Sequence, residues 1–446
     1  MIGIRLEDKN EWEARTPLVP VHIRELKEKH GVEVCVQTSP IRAFGEQEYT
    51  GAGATARQDL SECPVVLAIK EIPMELLERG KTYIFFSHTI KGQKANMPML
   101  QRLLDLGCQL IDYEKIVDES GRRKVFFGNY AGLAGMIDTL WALGQRLAWE
   151  NIATPFSQIR PTLQYDGLDE ARPAIEEVGE QIARDGLPPS LTPLICGFAG
   201  YGNVSRGAQE IYDLLPVREI SPAELMTFDG GDPHHVYKVV FEEQDMVKPL
   251  VVSQAEPLVV SQAEPLAEGA AFELQDYYDH PEKYGPQFER YVPRLTVLVN
   301  GIYWAERYPR LVTKQYLKEL FSHSEKPRLR VIGDVSCDEE GAIECNLRAT
   351  SPGNPIYVYD PLTGEAHDGH EGRGVVVLAV DNLPCELPRE SSTHFSTTLM
   401  PFVPEIAQAD YGAPLDQCGL PPEVKRAVIA WQGQLTPDYR YLKEFL

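Results

Sequence analysis

Apolar and polar residues alternate along the amino-terminal part of the chain in short blocks. Strand-like apolar runs occur at residues 3–6, 32–36, 64–69, 83–86 and 109–112. Residues 21–30 and 95–106 show the spacing of apolar positions that is typical of helices. Gly31 follows the first of these helices and is a typical C-terminal residue. Strands that alternate with helices predict an α/β fold with a parallel sheet.

A long apolar stretch at residues 131–148 predicts a helix that connects this region to a second α/β unit. The second unit begins at residues 191–207, and strand-like runs follow at 295–299, 329–335, 356–359 and 374–380. The tail is predicted to be helical, including residues 423–431. Residues 251–266 repeat the octapeptide VVSQAEPL once, which we interpret as a local duplication in a surface loop.

Composition narrows the classes of protein that fit this pattern. The chain has 446 residues, enough for two or three domains, and a formal net charge of −23. Such a charge disfavours nucleic acid and anionic membrane surfaces as partners. No apolar run approaches the ~18 residues of a membrane span, and the amino end lacks a signal-peptide pattern. Eight scattered cysteines without metal-ligand spacing predict a cytoplasmic protein with no bound metal.

A glycine-rich turn is the strongest local motif, and it follows the apolar run at 194–199. It reads Gly200-Tyr-Gly202-Asn203-Val204-Ser205-Arg-Gly207, and a helical pattern comes next. In a dinucleotide-binding turn, the first glycine permits the tight bend and the second lets the backbone approach a pyrophosphate. The helix N-terminus then supplies free N–H groups. We therefore predict that Gly200 and residues 202–205 bind a dinucleotide. The alternative is that this segment is a plain structural turn.

The choice of dinucleotide depends on the end of the next strand, expected about 20 residues later near residues 217–221. An acidic residue there would bind the ribose of NAD, whereas an arginine suits the 2′-phosphate of NADP. Glu219 and Arg218 both lie in this segment, so the residues alone leave the choice open.

Polar residues that follow the predicted strands of the first unit are candidates for catalysis. Lys70 and His88 each come just after a strand, and the carboxyl ends of parallel strands share one edge. A lysine and a histidine can form an acid–base pair for chemistry at a carbonyl or imine carbon. The alternative is a surface lysine and a hydrogen-bonded histidine. Glu114 follows another strand, while Arg15 and Arg123 could clamp carboxylates or simply be solvated.

Several blocks, in order along the chain, together resemble lysine–ketoglutarate reductases of the alanine dehydrogenase and transhydrogenase superfamily. They include EARTPLVP at 13–20, FFSHTIKGQKANM at 85–97, FGNYAGLAGMID at 127–138, GYGNVSRGAQ at 200–209, NGIYW at 300–304 and DVSCD at 334–338.

This resemblance implies two Rossmann-like domains with parallel sheets and an active site in the cleft between them. The substrate domain would be discontinuous, formed by residues 1–130 and 384–446, around a dinucleotide-binding domain at 131–383. The implied reaction condenses L-lysine with 2-oxoglutarate and reduces the imine to saccharopine, or runs in reverse. NADP(H) is the favoured cofactor and NAD(H) the alternative.

The resemblance also implies roles for single residues. Lys70 and His88 match the acid–base pair. Arg15, Glu114 and Arg123 match positions that bind the carboxylates and amines of the substrates, and Asp334 joins the cofactor-binding residues.

Two other functions stay open at this point. One is an alanine-dehydrogenase-like enzyme that acts on a single amino acid, and the other is a non-catalytic dinucleotide sensor. A homo-oligomer is likewise left open by the sequence.

Overall fold

The computed structural model describes residues 1–250, 271–324 and 326–446 and divides the chain into two compact units. Domain 1 comprises Met1–Phe127 and Pro388–Leu446, and domain 2 comprises Gly128–Leu387. The sequence prediction placed these divisions at 130/131 and 383/384. The tandem octapeptide at 251–266 lies outside the described residues.

The first part of domain 1 alternates strands with helices. Its elements are β1 (Ile2–Ile4), α1 (Pro20–His30), β2 (Val34–Gln37), α2 (Glu46–Gly51), β3 (Thr55–Arg57), β4 (Val65–Leu67), β5 (Thr82–Phe85), α3 (Met97–Asp105) and β6 (Gln109–Asp112). Helix α1 has Pro20 in its first turn and is followed by Gly31, whose φ of 62° is left-handed. The Gly31 N–H donates to the carbonyl of Lys27, which confirms the predicted helix end.

Domain 2 begins with a long helix and continues as an α/β unit. Its elements are α4 (Gly128–Trp149), α5 (Leu168–Asp185), β7 (Leu194–Ala199), α6 (Asn203–Tyr212), β8 (Val217–Glu219), α7 (Pro222–Thr227), β9 (Val236–Phe241), α8 (Glu243–Met246), β10 (Val247–Pro249), α9 (Leu274–Asp279), β11 (Tyr284–Pro286), β12 (Val297–Asn300), α10 (Lys314–His323), β13 (Val331–Asp334), β14 (Ile356–Asp360), β15 (Glu365–Asp368) and β16 (Val375–Leu378).

The chain then returns to domain 1. The returning elements are α11 (Pro388–Leu399), α12 (Val403–Gln408), α13 (Pro422–Arg426), β17 (Val428–Trp431) and β18 (Gln434–Leu435). None of the described helices has both the length and the apolar composition that a membrane span requires.

The domain 1 sheet has eight strands in the order β18-β17-β6-β5-β4-β1-β2-β3. The six strands from the amino-terminal part are parallel, while β17 pairs antiparallel with β6 and with β18. The predicted helix over 423–431 is therefore wrong in its second half, because the helix stops at Arg426 and Val428–Trp431 form β17. All four of these positions are buried, and a short apolar run cannot by itself distinguish a buried strand from a helix.

The domain 2 sheet also has eight strands, in the order β15-β14-β16-β13-β12-β7-β9-β8. Six strands are parallel, and β14 and β15 add an antiparallel edge. The prediction of an α/β fold built on parallel sheets is confirmed, with an antiparallel pair of strands added at one edge of each sheet.

Helices α4 and α6 of domain 2 contact each other backbone to backbone. A Cβ atom on Gly207 of α6 would collide with the carbonyl oxygen of Asn129, and one on Gly132 of α4 would collide with that of Val204. The usual third glycine of the turn is Ser205 here, which is buried. Gly207 therefore provides the close packing of the helix that the third glycine normally permits.

Candidate functional site

Four neighbouring parallel strands of domain 1 end at the same edge of its sheet. These strands are β6, β5, β4 and β1. Glu114, His88 and Lys70 follow β6, β5 and β4, respectively, and Arg15 lies in the loop after β1. The predicted residues of the first unit thus share one edge, as the parallel sheet requires.

His88 is held by a carboxylate that adjoins Lys70 in sequence. Its Nδ1 lies 2.5 Å from Oε1 of Glu71, and Lys9 Nζ lies 3.5 Å from Oε2 of the same carboxylate. Burial opposes ionisation of Glu71, but the hydrogen bond and charge of His88 lower its pKa to about 2. His88 also has a φ of 49°, a left-handed conformation that costs energy for a residue with a Cβ atom.

Lys70 is positioned through its backbone by Glu7, a buried residue after β1. The Glu7 carboxylate accepts the N–H of Ile69 at 2.6 Å and the N–H of Lys70 at 3.0 Å. Burial and the charge of Glu13 raise the pKa of Glu7 to about 7, although the two backbone hydrogen bonds act in the opposite direction. Glu7 therefore links the end of β1 to the end of β4.

Arg15 forms a buried bidentate ion pair with Glu13. Its Nε and Nη2 donate to the two Glu13 oxygens at 2.7 and 2.6 Å, and the side chains are 3% and 0% exposed. The guanidinium also lies 4.3 Å from the centre of the Phe127 ring. These contacts fix the orientation of the planar guanidinium group.

Glu114 contacts Arg123, the second predicted arginine. Arg123 Nη2 pairs with Glu114 Oε1, and the side chain of Arg123 is 52% exposed. The structure therefore brings these two predicted residues together at the end of β6.

The glycine-rich turn of domain 2 has the conformation that a dinucleotide turn requires. Gly200 follows β7 with a φ of 91°, which is left-handed, and a Cβ atom there would lie 2.9 Å from Ile302. Helix α6 begins directly after Gly202, with no side-chain cap on its first N–H groups. The backbone at Gly202 also has open space, since a Cβ atom there would meet nothing within 4 Å.

A pocket of about 370 Å³ adjoins this turn. Its lining includes the turn, Glu243 after β9, two tyrosines of α9 and aromatic residues after β12: Gly200, Tyr201, Gly202, Glu243, Tyr277, Tyr278, Tyr303, Trp304 and Tyr308. An anion can bind at the uncapped helix end, and a planar base can stack in an aromatic pocket. The residues present therefore fit a dinucleotide.

Asp334 lies at the carboxyl end of β13 but is enclosed by protein. Its oxygens accept hydrogen bonds from the side-chain amides of Asn300 and Asn346, each at 2.8 Å. Burial raises its pKa to about 6. The Asp334–Asn300 bond joins the ends of β13 and β12, two strands whose ends lie near the turn.

The expected strand at residues 217–221 is present but is not the neighbour of the glycine strand. Strand β8 lies at the sheet edge, and β9 separates it from β7. Glu219 is level with Lys238, three residues before the end of β9, which is roughly 10 Å short of the carboxyl edge. Glu219 pairs with Lys238 at 3.4 Å and Arg218 with Asp232 at 3.3 Å. Counting residues from the turn failed because β8 and α7 are inserted before the neighbouring strand.

Comparisons with known proteins agree with this arrangement. The N-terminal domain of the alanine dehydrogenase/PNT family matches residues 3–134, and the C-terminal domain of the same family matches residues 283–438. The chain belongs to this family. Two solved structures share its fold, an L-alanine dehydrogenase with a TM-score of 0.57 at 17% identity and a transhydrogenase from Sinorhizobium meliloti with 0.55 at 14%. The first alignment covers 100% of this chain and 99% of the other, and the second covers 98% and 99%.

Three curated relatives each match at least 91% of this chain. Alpha-aminoadipic semialdehyde synthase of Arabidopsis thaliana is 37% identical over 99% of this chain, and the Bos taurus protein is 36% identical over 100%. The chain spans only 41% and 48% of those proteins. A saccharopine dehydrogenase [NAD(+), L-lysine-forming] of Emericella nidulans is 27% identical over 91% of this chain and 92% of its own length.

Three carboxylates of this alanine dehydrogenase/PNT chain were missed by the sequence analysis. Glu7 and Glu71 lie beside the ends of β1 and β4, and Glu243 lines the pocket at the turn. Glu71 directly follows Lys70, so its place after a strand was a usable signal. The run Val236–Phe241 followed by two glutamates was a signal for a strand whose end carries acidic side chains.

Proposed function

We propose that this chain condenses L-lysine with 2-oxoglutarate and reduces the product to saccharopine, or catalyses the reverse oxidation. The observation that carries the proposal is the edge of the domain 1 sheet, where Lys70 follows β4, His88 follows β5 and the Glu71 carboxylate contacts the His88 ring. The similarity to aminoadipic semialdehyde synthases and saccharopine dehydrogenases supports the choice of substrates. The proposed partners of the chain are therefore these three small molecules.

The reaction needs proton transfer at each stage. The ε-amine of lysine attacks the keto carbon, the carbinolamine loses water to give an imine, and a hydride with a proton gives the secondary amine. One group near the reacting carbon must donate and accept protons in turn. We assign this role to His88, whose ring is oriented by Glu71, with Lys70 as its acid–base partner.

Charged residues at the same sheet edge suit the charges of the two substrates. Arg123 and Arg15 are proposed to bind carboxylates, and the bidentate contact with Glu13 would fix the Arg15 guanidinium for that purpose. Glu114 is proposed to pair with the incoming amine. Holding both substrates in a near-attack geometry would lower the entropic part of the barrier.

The turn of domain 2 is proposed to hold the cofactor. Gly200 and Gly202 would let the backbone approach a pyrophosphate, and the N–H groups of residues 203–205 would bind it. A bound nicotinamide dinucleotide would supply the hydride in the reductive direction and accept it in the other. Asp334 would act indirectly, by fixing the strand ends beside the turn.

The test follows absorbance at 340 nm with purified protein, NADH or NADPH, 2-oxoglutarate and lysine, and omits each component in turn. Oxidation that requires lysine and 2-oxoglutarate together is the expected result. Oxidation with ammonia and a keto acid but without lysine would instead indicate an alanine-dehydrogenase-like enzyme. Dinucleotide binding with no turnover on a panel of amino acids and keto acids would indicate a sensor. Either result would refute the proposal.

A further inference from the structure

The strand beside the glycine strand ends in two carboxylates. Strand β9 pairs with β7 over its full length, with Phe241 opposite Ala199, and Glu242 and Glu243 follow Phe241 directly. In a doubly wound sheet, the side chain that ends this strand lies beside the ribose of the adenosine half of a dinucleotide. With this strand order, the position expected beside such a ribose is residues 242–243 and not residues 218–219.

Glu243 lies beside the glycine turn in the 370 Å³ pocket. The Tyr278 hydroxyl donates to its Oε1 at 2.6 Å, and Tyr201, between the two glycines, lines the same pocket. Glu242 caps the short helix α8, with its N–H donating to Asp245 at 2.9 Å. The Glu243 carboxylate is therefore held beside the turn rather than extended into solvent.

Glu243 places an acidic side chain at the end of β9, and no basic side chain lines the described part of the pocket. Glu243 is the one charged side chain among the described residues that line the 370 Å³ pocket. Two arginines contact the aromatic wall, Arg307 at Tyr308 and Arg310 at Trp304, but neither has a described contact with the Glu243 carboxylate. Arg307 donates to the Tyr308 hydroxyl at 2.7 Å, and Arg310 donates to the carbonyl of Glu340 at 2.9 Å.

We propose that Glu243, with Glu242 beside it, makes this site selective for NAD(H) over NADP(H). The inference rests on the proposed dinucleotide-dependent function, and it reverses the preference for NADP(H) that the family resemblance implied. A carboxylate can accept hydrogen bonds from the two hydroxyls of an unmodified ribose. The 2′-phosphate of NADP(H) would place a second anion against it, and repulsion at contact distance weakens binding by about tenfold or more.

The test measures binding and does not depend on turnover. The full chain is titrated with NADH and with NADPH by isothermal titration calorimetry, without amino or keto acids. NADH is expected to bind at least about tenfold more tightly than NADPH. In Glu243→Gln this ratio should shrink about threefold or more. The matched control is Glu219→Gln, because Glu219 lies on the edge strand β8 and its loss should leave the ratio unchanged.

The outcomes separate a failure of the inference from a failure of the proposed function. Equal or tighter binding of NADPH by the unaltered chain would overturn the inference and leave the proposed function intact. A ratio that persists in Glu243→Gln but collapses in Glu219→Gln would also overturn it, in favour of the edge strand. Binding of neither dinucleotide would overturn the proposed function and the inference together. Because the unaltered chain alone decides the first outcome, a variant that fails to fold does not prevent the test.

Discussion

Replacing Glu7 by glutamine is expected to change how the stability of domain 1 depends on pH. Glu7 is 5% exposed, and its carboxylate accepts the backbone N–H groups of Ile69 and Lys70. Burial, with the nearby charge of Glu13, raises its pKa from 4.5 to about 7. The folded protein therefore ionises this group less readily than the unfolded chain does.

The size and sign of the effect follow from that difference. Between pH 4.5 and about 7, the folded protein keeps a proton that the unfolded chain has lost, so the free energy of unfolding falls as the pH rises. At about 1.4 kcal/mol per pH unit, the fall reaches about 3 kcal/mol near pH 7 and grows no further above it. The glutamine of Glu7→Gln cannot titrate, so the stability of this variant does not fall with pH for this reason. Replacing one accepting oxygen by an NH₂ group adds a cost that does not depend on pH.

Hydrogen–deuterium exchange of the β1 and β4 amides measures this local stability without requiring both domains to unfold together. The free energy of opening of these amides in the unaltered chain, minus that in Glu7→Gln, should decrease by about 3 kcal/mol from pH 4.5 to pH 7.5. Glu25→Gln is the control, because its carboxylate pairs with Lys29 and has a lowered pKa. The stability that the Glu25–Lys29 pair contributes is lost as the pH falls. The free-energy difference between the unaltered chain and Glu25→Gln should therefore not decrease with rising pH. Parallel pH curves for Glu7→Gln and the unaltered chain would refute the reasoning.

Three further predictions concern single substitutions. Burial and the charge of Asp138 raise the pKa of Glu386 well above its usual range. Glu386→Gln should therefore increase the melting temperature at pH 8, and this gain should vanish towards pH 4. A lower melting temperature at pH 8 would contradict this prediction. Gly207→Ala should destabilise the protein by about 2 kcal/mol or more in urea titrations, because the new Cβ atom would collide with helix α4. The control Gly202→Ala should change stability by about 1 kcal/mol or less. Similar losses in both variants would refute the packing argument. His88→Gln should lower kcat for lysine-dependent NADH or NADPH oxidation about 10²–10⁴-fold, and normal turnover across the pH range would exclude the assigned role.

Much of the fold was predictable because it depends on local pattern. The parallel strands of domain 1 and the glycine turn at Gly200 were recognisable from apolar runs and their bounding residues. A parallel sheet also requires residues after its strands to share one edge, which is why Lys70 and His88 could be placed together. Neither inference needed any knowledge of which strands are neighbours in space.

The sequence by itself determined which residue types follow the strands and where the backbone must bend. Only the tertiary structure decided which groups lie together: Glu71 with His88, Glu7 with the Lys70 backbone, and Glu243 with the pocket beside the turn. Strand order was the decisive unknown, because hydrogen bonding between strands is set by packing rather than by separation along the chain. The same reason explains why 428–431 is a strand and why β9, not β8, ends beside the glycine-rich turn.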